Sequence, residues 1–239
     1  SLVVFAQQSD FIEEKVYKNS LYVVERNTNI LFYDCTNFFF ETEEPDHIKQ
    51  YGVSKENRPN PIVQMGLFMD GSGLPLAFTI TPGNTNEQTT LKPLERRILK
   101  DFNLSRFVVC TDAGLSSHAN RLYNTKGQRA FVTTQSIKKL KKFLKEWALD
   151  PQGWKAPGSN KEINLNDIWK MENDTGTYYK ERWIKENGLE QKLIVTYSPA
   201  YQRYQSSIRT KQVERAMKKV ENPSSLNKHN QPMSQGMGN

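Results

Sequence analysis

The stretch ILFYDCTNFFF, residues 30–40, decides the fold of this protein. It is an almost unbroken run of apolar and aromatic residues, and its length and aromatic content predict a β-strand that is buried on both faces. One carboxylate, Asp34, lies in the middle of the run. An unpaired carboxylate is costly to bury, so Asp34 is expected either to be paired or metal-bound, or to bond backbone groups at a strand end. The run alone leaves both interpretations open.

The sequence on either side of this run predicts a mixed α/β sheet. Residues 41–61 are polar and predict a loop, and the strands at 62–70 and 74–81 are joined by a tight turn at Gly71-Ser72-Gly73. The other elements predicted before residue 149 are helices at 9–27, 87–101, 116–125 and 136–148 and strands at 106–111 and 129–135. Three strands in a meander, followed by strands that cross over through helices, predict an α/β fold.

The remaining sequence predicts a loop, a β-hairpin and a long helix instead of further sheet strands. Residues 149–176 read as a loop, residues 177–197 as a hairpin turning near Asn187-Gly188, and residues 199–222 as a long basic helix. These patterns divide the chain into the end of an N-terminal helical region (1–29), a mixed α/β part (30–148), a segment that contains the hairpin (149–198), a basic helix (199–222) and a disordered tail (223–239).

Composition excludes several classes of protein. The chain has 239 residues, of which 36% are hydrophobic and 11% aromatic, so it can bury a core as one or two domains and is not collagen-like, mucin-like or a coiled coil. It has no apolar run near the ~20 residues that span a bilayer, and we expect no membrane partner. Two cysteines, Cys35 and Cys110, form neither a disulfide framework nor a zinc site alone and fit a reducing cytosolic setting.

The charge of the chain is unevenly distributed. Residues 1–136 carry a net charge of −1 and residues 137–239 carry a net charge of +8, which together give the total of +7. A basic excess confined to one part of a chain is typical of a polyanionic partner, most often nucleic acid. A solubilising helical face explains the same excess, and composition does not separate the two.

A second carboxylate, Asp112, follows the strand-like RFVVCT and precedes Ala113-Gly114, where the chain must turn. Side chains at the carboxyl ends of strands in open α/β sheets point into the ligand crevice, although a turn or cap aspartate is common. If the strands of Asp34 and Asp112 are neighbours, the two carboxylates converge. All-oxygen ligation of this kind suits Mg²⁺ or Mn²⁺.

Three blocks in order, YDCTNFFFE, the segment from Gly52 to Glu87 and VVCTDAGLSS, resemble the catalytic core of DDE transposases of the insertion-sequence-four type. The resemblance covers roughly residues 20–220. It implies a ribonuclease-H-like fold, with Asp34 and Asp112 as the family's first two catalytic carboxylates and as ligands of Mg²⁺ or Mn²⁺. It also implies the transposon end as substrate, and strand cleavage and transfer as chemistry. By the same resemblance, residues 30–148 are the first part of the ribonuclease-H-like catalytic core and residues 149–198 are a β-rich insertion.

The family has a third carboxylate, a Glu on a late helix, in the pattern Tyr, two residues, Arg, three residues, Glu, six residues, Lys. Tyr179, Arg182 and Glu186 match the first three positions, but Leu193 stands where the Lys belongs. The segment predicts a β-hairpin, so we interpret this match as a chance one, and Glu214 does not fit either. We therefore expect the catalytic Glu beyond residue 239, with the chain a fragment of a longer transposase.

Several other polar residues keep two interpretations. The candidates for DNA contact, which could equally form solvated helix faces, are Lys138, Lys139, Lys141, Lys142, Arg209 and Arg215. Lys55, Arg58 and Asn84 fall in the central family-like block, where loop chemistry and DNA contact are equally open. The histidines His47, His118 and His229 show no metal spacing and are predicted to lie at the surface.

The function expected from the sequence is therefore metal-dependent DNA strand cleavage and transfer at transposon ends. The expected partner is double-stranded DNA, bound by a homodimer, in the prokaryotic cytoplasm at the nucleoid. The alternatives are an inactive relic that only binds DNA or a partner transposase chain, and a ribonuclease-H-like nuclease that acts on RNA–DNA hybrids.

Overall fold

The computed structural model describes Phe5, residues 7–171 and residues 173–221. The chain divides into two compact units, one up to Lys141 and one from Lys142 onward. Each unit is described by itself below. The predicted tail at 223–239 lies outside the described residues.

The first unit contains a five-stranded sheet in the order β3-β2-β1-β4-β5. Its elements are α1 (Ser9–Ser20), β1 (Ile30–Phe39), β2 (Ile62–Asp70), β3 (Pro75–Pro82), α2 (Leu91–Asp101), β4 (Val108–Thr111), α3 (His118–Tyr123) and β5 (Ala130–Thr133), with 3-10 turns at Glu87–Thr89 and Ile137–Lys139. Strands β1 to β3 pair antiparallel in sequence order. Strand β4 pairs parallel with β1, and β5 pairs parallel with β4. The predicted mixed sheet, with a meander followed by crossover strands, is confirmed.

The sheet buries one face of β1 and exposes the other. Leu31, Tyr33 and Cys35 are almost inaccessible to solvent and belong to the main core, together with the apolar side of α2. Phe32 and Phe38, on the opposite side of the same strand, are exposed. The prediction that both faces of this strand are buried is therefore wrong. An all-apolar strand sequence does not specify how many layers cover it, and in this unit α2 covers one face.

A buried ion pair fixes the chain just before β1. Arg26 Nε donates to Asp70 Oδ2 at 2.6 Å, and the two side chains are 2% and 0% exposed. The second oxygen of Asp70 accepts the backbone N–H groups of Ser72 and Leu74, which closes the β2–β3 turn. The guanidinium also donates to the carbonyl of Leu74 and stacks over the ring of Tyr17. This pair therefore joins the start of β1 to the far end of β2.

Two predicted helices are shorter in the structure. Helix α1 ends at Ser20 and not at residue 27. The hydroxyl of Ser20 donates to the carbonyl of Tyr17 and accepts a hydrogen bond from Arg26. Such side-chain bonds compete with helix continuation. The helix predicted at 87–101 begins at Leu91, which leaves Pro93 in the first turn, where proline is tolerated.

The basic helix predicted at 136–148 is interrupted. Residues Ile137–Lys139 form a 3-10 turn, Leu140 is extended with ψ near 149°, and α4 begins at Lys142. The continuous-helix prediction is wrong because four lysines crowd the first turns, where like charges oppose helix formation, and Ile137 is exposed and gains no packing.

The second unit contains a β-hairpin and a long helix. Its elements are α4 (Lys142–Leu149), α5 (Leu165–Ile168), β6 (Tyr178–Glu186), β7 (Leu189–Tyr197) and α6 (Pro199–Glu221). The predicted hairpin is confirmed, and its turn residues Asn187 and Gly188 both have positive φ, as a two-residue primed turn requires. Helix α6 is exposed from residue 200 onward, except at the partly buried Ile208. None of the helices in the described part of the chain combines the length and apolarity needed to cross a lipid bilayer.

Candidate functional site

Strands β1 and β4 are parallel neighbours, and they place two aspartates at the same edge of the sheet. The last register partners are Tyr33 and Thr111, and Asp34 and Asp112 each follow by one residue. Asp34 lies on the face of β1 opposite Tyr33, because side chains alternate along a strand. Asp112 follows the end of β4 at the same level of the sheet, and both aspartates are exposed. The condition for convergence set by the sequence, that these two strands be neighbours, is met.

Asp34 is exposed rather than buried. Its side chain is 70% accessible, and its Oδ1 accepts the backbone N–H of Cys35 at 2.8 Å. The expectation of a costly buried carboxylate is wrong, because the strand face that carries Asp34 is open. The backbone bond orients the carboxylate without neutralising it.

Asp112 lies in a turn between β4 and α3. Its Oδ1 accepts the backbone N–H of Leu115 at 3.0 Å, so the turn function that the sequence left open is present. The carboxylate lies beside Gly114, where an added Cβ would be 3.3 Å from Oδ1. A side chain at residue 114 would therefore crowd the carboxylate, and the glycine keeps this approach open.

Three polar side chains that the sequence did not single out support this turn. Thr133 Oγ1 donates to the carbonyl of Asp112 at 3.0 Å from the neighbouring strand β5. The buried Asn120 donates through Nδ2 to the carbonyls of Leu115 and Gln88, at 2.9 and 3.0 Å, and Gln88 donates in turn to Gly114. A buried Asn on a short helix and a strand Thr carry no distinctive sequence signal, so only the structure reveals them.

One cation lies next to Asp34. Lys55 Nζ is 3.9 Å from Asp34 Oδ1 and donates a hydrogen bond to the carbonyl of Cys35. The other two residues singled out in this block lie elsewhere. Arg58 stacks over the ring of Phe39, with its Nε 3.9 Å from Glu56 Oε2, and Asn84 is exposed in the turn after β3.

The two carboxylates suit a hard divalent cation. Within the described residues, Oδ2 of Asp34 and of Asp112 accepts no protein hydrogen bond, so each carboxylate keeps one oxygen for a ligand. Mg²⁺ is commonly held by one or two carboxylates together with waters and substrate phosphates, so this donor set fits it. In the part of the chain that the structure describes, no third His, Cys, Asp or Glu completes a metal-binding group.

The motif-like residues of the second unit lie on a strand. Tyr179, Arg182 and Glu186 all belong to β6, and Leu193 belongs to its partner β7. The segment is the β-hairpin expected from the sequence, not the helix on which the family's pattern occurs. Glu214 lies on the exposed helix α6.

The basic residues singled out for DNA contact are exposed, but they do not share one helix. Lys138, Lys139 and Lys141 belong to the first unit, whereas Lys142 begins α4 of the second. Arg209 and Arg215 lie on α6. Of the histidines, His47 is exposed, His118 is partly buried at the start of α3, and His229 is outside the described residues.

One protein family matches this chain, and several solved structures are similar to part of it. The family described as "Transposase DDE domain" matches residues 28–191. No curated protein matches the chain. Similar solved structures include a Mos1 transposase paired-end complex with left transposon end (17% identity over 51% of this chain and 39% of that one, TM-score 0.31). A second is the Mos1 mariner paired-end complex with Mn (16% identity over 58% of this chain and 53% of that one, TM-score 0.32). A third is a piggyBac transposase synaptic complex with hairpin DNA (10% identity over 71% of this chain and 33% of that one, TM-score 0.40).

This chain spans between 33% and 53% of the length of those three structures. The family match includes all five strands of the sheet and both aspartates at its edge, and it extends over more than half of the chain. The chain therefore belongs to the DDE transposase domain family.

Proposed function

We propose that this chain is the catalytic-core part of a transposase of the insertion-sequence-four type, which cleaves and joins DNA strands at transposon ends. The observation that carries the proposal is the pairing of β1 with β4. It brings Asp34 and Asp112 to one edge of the sheet. The resemblance to the family assigns its first two catalytic carboxylates to these two residues. Family membership supports the reaction class.

In this proposal Asp34 and Asp112 hold Mg²⁺ or Mn²⁺ through their open Oδ2 atoms. A bound divalent ion lowers the pKa of a ligand water and stabilises charge on phosphate oxygens, which is the chemistry that phosphodiester attack requires. The protein orients its carboxylates beforehand. Cys35 N–H fixes one of them and Leu115 N–H fixes the other, so that neither has to reorganise when the ion and the DNA arrive.

Among the described residues, no third carboxylate joins the two aspartates at this edge. Because the described residues offer no third ligand, substrate phosphate and solvent oxygens would complete the coordination of the two-aspartate site. We propose that the substrate is double-stranded DNA and that the protein binds it as a homodimer in the prokaryotic cytoplasm. The basic residues Lys138, Lys139, Lys141, Lys142, Arg209 and Arg215 would contribute phosphate contacts.

Calorimetric titration with Mn²⁺ tests the metal site directly. Asp34→Asn and Asp112→Asn each keep an oxygen that can accept the local backbone N–H, but they remove the charge. We expect each variant to lose at least tenfold in affinity for Mn²⁺. Asp167→Asn is the matched control, because Asp167 is as exposed as Asp34 (68% against 70%) but lies on α5.

Equal Mn²⁺ binding by the parent, Asp34→Asn and Asp167→Asn would contradict the metal assignment. The remaining candidate would then be a chain that only binds DNA or a partner transposase. In that case DNA binding would persist in the parent and in every variant although none of them binds Mn²⁺ through the aspartate pair.

A further inference from the structure

A tight turn lies against the part of β1 that carries Asp34. Asn57 has φ +54° and donates its N–H to the carbonyl of Ser54, which closes the turn. Asn37, on β1, fastens the turn to the strand: its Oδ1 accepts the N–H of Lys55 at 3.2 Å and its Nδ2 donates to the carbonyl of Val53 at 3.3 Å. The position of Lys55 is therefore fixed by the strand and not by a loose loop.

Strand β4 leaves room for this turn. It ends at Thr111, opposite Tyr33, so from Asp34 onward β1 has no register partner in β4. The carbonyl of Cys35 instead accepts a hydrogen bond from Lys55 Nζ. The ammonium group thus occupies the edge at which β4 stops and Asp112 emerges.

The charge of Lys55 is not needed for folding. Its side chain is 47% exposed, and it lies 3.9 Å from an Asp34 carboxylate that is more exposed still. Exposed ion pairs contribute little to stability, typically about 1 kcal/mol or less. A lysine ammonium that is anchored by a backbone carbonyl, but still open to solvent, retains two N–H donors for an anion.

We propose that Lys55 is a phosphate-binding residue of this active site, which contacts the DNA backbone next to the bond that the aspartate pair acts on. The inference rests on the proposed function of that pair. Without DNA, the ammonium is the local counter-charge of Asp34. With DNA bound, it donates to a phosphate oxygen while a divalent ion takes over the charge of the carboxylate.

Two opposite effects follow from removing this charge. DNA binding should weaken, because one phosphate contact is lost and the salt dependence of affinity should fall by about 0.9 in slope. Mn²⁺ binding should tighten by roughly threefold to fivefold at low ionic strength, because a positive charge about 4 Å from a ligand carboxylate repels the ion. A residue with a purely structural role would produce neither effect.

The experiment uses the full chain, with Lys55→Gln to remove the charge and keep a donor for the Cys35 carbonyl. Lys55→Arg keeps the charge. Lys49→Ala is the matched control, because Lys49 lies in the same loop and pairs with Asp46 instead. Affinity for a random-sequence DNA duplex is measured by fluorescence anisotropy over a range of salt concentrations, and Mn²⁺ affinity by calorimetry without DNA.

We expect Lys55→Gln to bind the duplex about threefold to tenfold more weakly with a shallower salt slope, and Lys55→Arg to bind it like the parent. Indistinguishable duplex binding by Lys55→Gln and Lys49→Ala would overturn the inference. If Asp34→Asn binds Mn²⁺ as the parent does, the proposed metal site fails, and the duplex measurement alone then decides whether Lys55 binds phosphate.

Discussion

Tyr33 and Thr111 are the last register partners of the parallel pair β1 and β4. Each residue has an aspartate directly after it, so a single register fixes the relative level of the two carboxylates. A slip of one residue between these strands would move one aspartate to the other face of the sheet. Leu31 and Tyr33 of β1 and Val109 of β4 are buried in the same core, so the core packing of these two strands also holds the site.

The first prediction concerns the turn that carries Asp112. Asn120→Ala removes both side-chain hydrogen bonds to the carbonyls of Leu115 and Gln88. We expect a loss of about 1–3 kcal/mol in the free energy of unfolding, because buried carbonyls lose their donor, and roughly threefold to tenfold weaker Mn²⁺ binding. Urea unfolding and calorimetry measure the two effects.

Asn124→Ala is the control for this prediction. Asn124 is as buried as Asn120 and ends the same helix, but it donates to the carbonyl of Asn120 and not to the Asp112 turn. It should lower stability and leave Mn²⁺ affinity unchanged. If Mn²⁺ affinity is unchanged in Asn120→Ala as well, this residue does not position the site.

The sequence predicted the strands and both aspartates, but not the surroundings of Asp34. An apolar run such as residues 30–40 reads the same whether one or two layers cover it, so its exposed face could not be predicted. The neighbourhood of Lys55 depends on where β4 ends and on a turn fastened by Asn37. Both are tertiary features that a local pattern does not contain.

The basic helix shows a different limit. The spacing of apolar residues from Ile137 to Trp147 fits one helix. This spacing contains no information about the repulsion between the four lysines or about which residues find a packing surface. Local hydrogen bonds after Ser136 give a 3-10 turn, and Leu140 breaks the pattern. By contrast, Asn187-Gly188 carries its own turn chemistry and was predicted correctly.

The second prediction concerns the close contact of Tyr33 with Gly66 on β2. A Cβ added at residue 66 would lie 2.2 Å from the Tyr33 hydroxyl and 3.0 Å from its ring. Gly66→Ala should therefore cost about 1–3 kcal/mol of unfolding free energy, because the tyrosine must move in a packed core. Tyr33→Phe alone should cost about 1 kcal/mol, for the lost 2.6 Å hydrogen bond to Thr90.

The double variant distinguishes this contact from a general effect of alanine in a strand. With the hydroxyl removed, the clash is relieved, so Gly66→Ala should cost less when it is combined with Tyr33→Phe than it costs in the parent. Simple additivity of the two single-variant losses, measured by urea unfolding, would show that the hydroxyl is not the obstacle.

The third prediction concerns the buried pair of Arg26 and Asp70. Arg26→Ala leaves an uncompensated carboxylate in the core, and we expect a loss of about 3–5 kcal/mol in unfolding free energy. Lys18→Ala, which breaks the exposed pair with Glu14, should change it by less than about 1 kcal/mol. Similar losses of unfolding free energy in Arg26→Ala and Lys18→Ala would mean that burial does not make the Arg26–Asp70 pair more important for stability than an exposed pair.

The fourth prediction concerns the pH dependence of stability. Burial raises the pKa of Glu95, on α2, to about 7, against the opposing effect of Arg129, whose Nη1 lies 2.9 Å from Oε1. A carboxyl whose pKa is higher in the folded state than in the unfolded state binds more protons when folded. Its stabilising contribution is therefore full below about pH 4.5 and is lost as the pH rises through about 7.

Glu95→Gln tests this contribution, because glutamine resembles the protonated acid in shape. We expect the difference in unfolding free energy between the parent and this variant to change by about 2–3 kcal/mol between pH 4.5 and pH 8, in the direction that penalises the parent at higher pH. Comparing the two proteins cancels Glu13, whose pKa burial also raises. A difference for Glu95→Gln that does not change with pH across this range would mean that Arg129 keeps Glu95 ionised throughout.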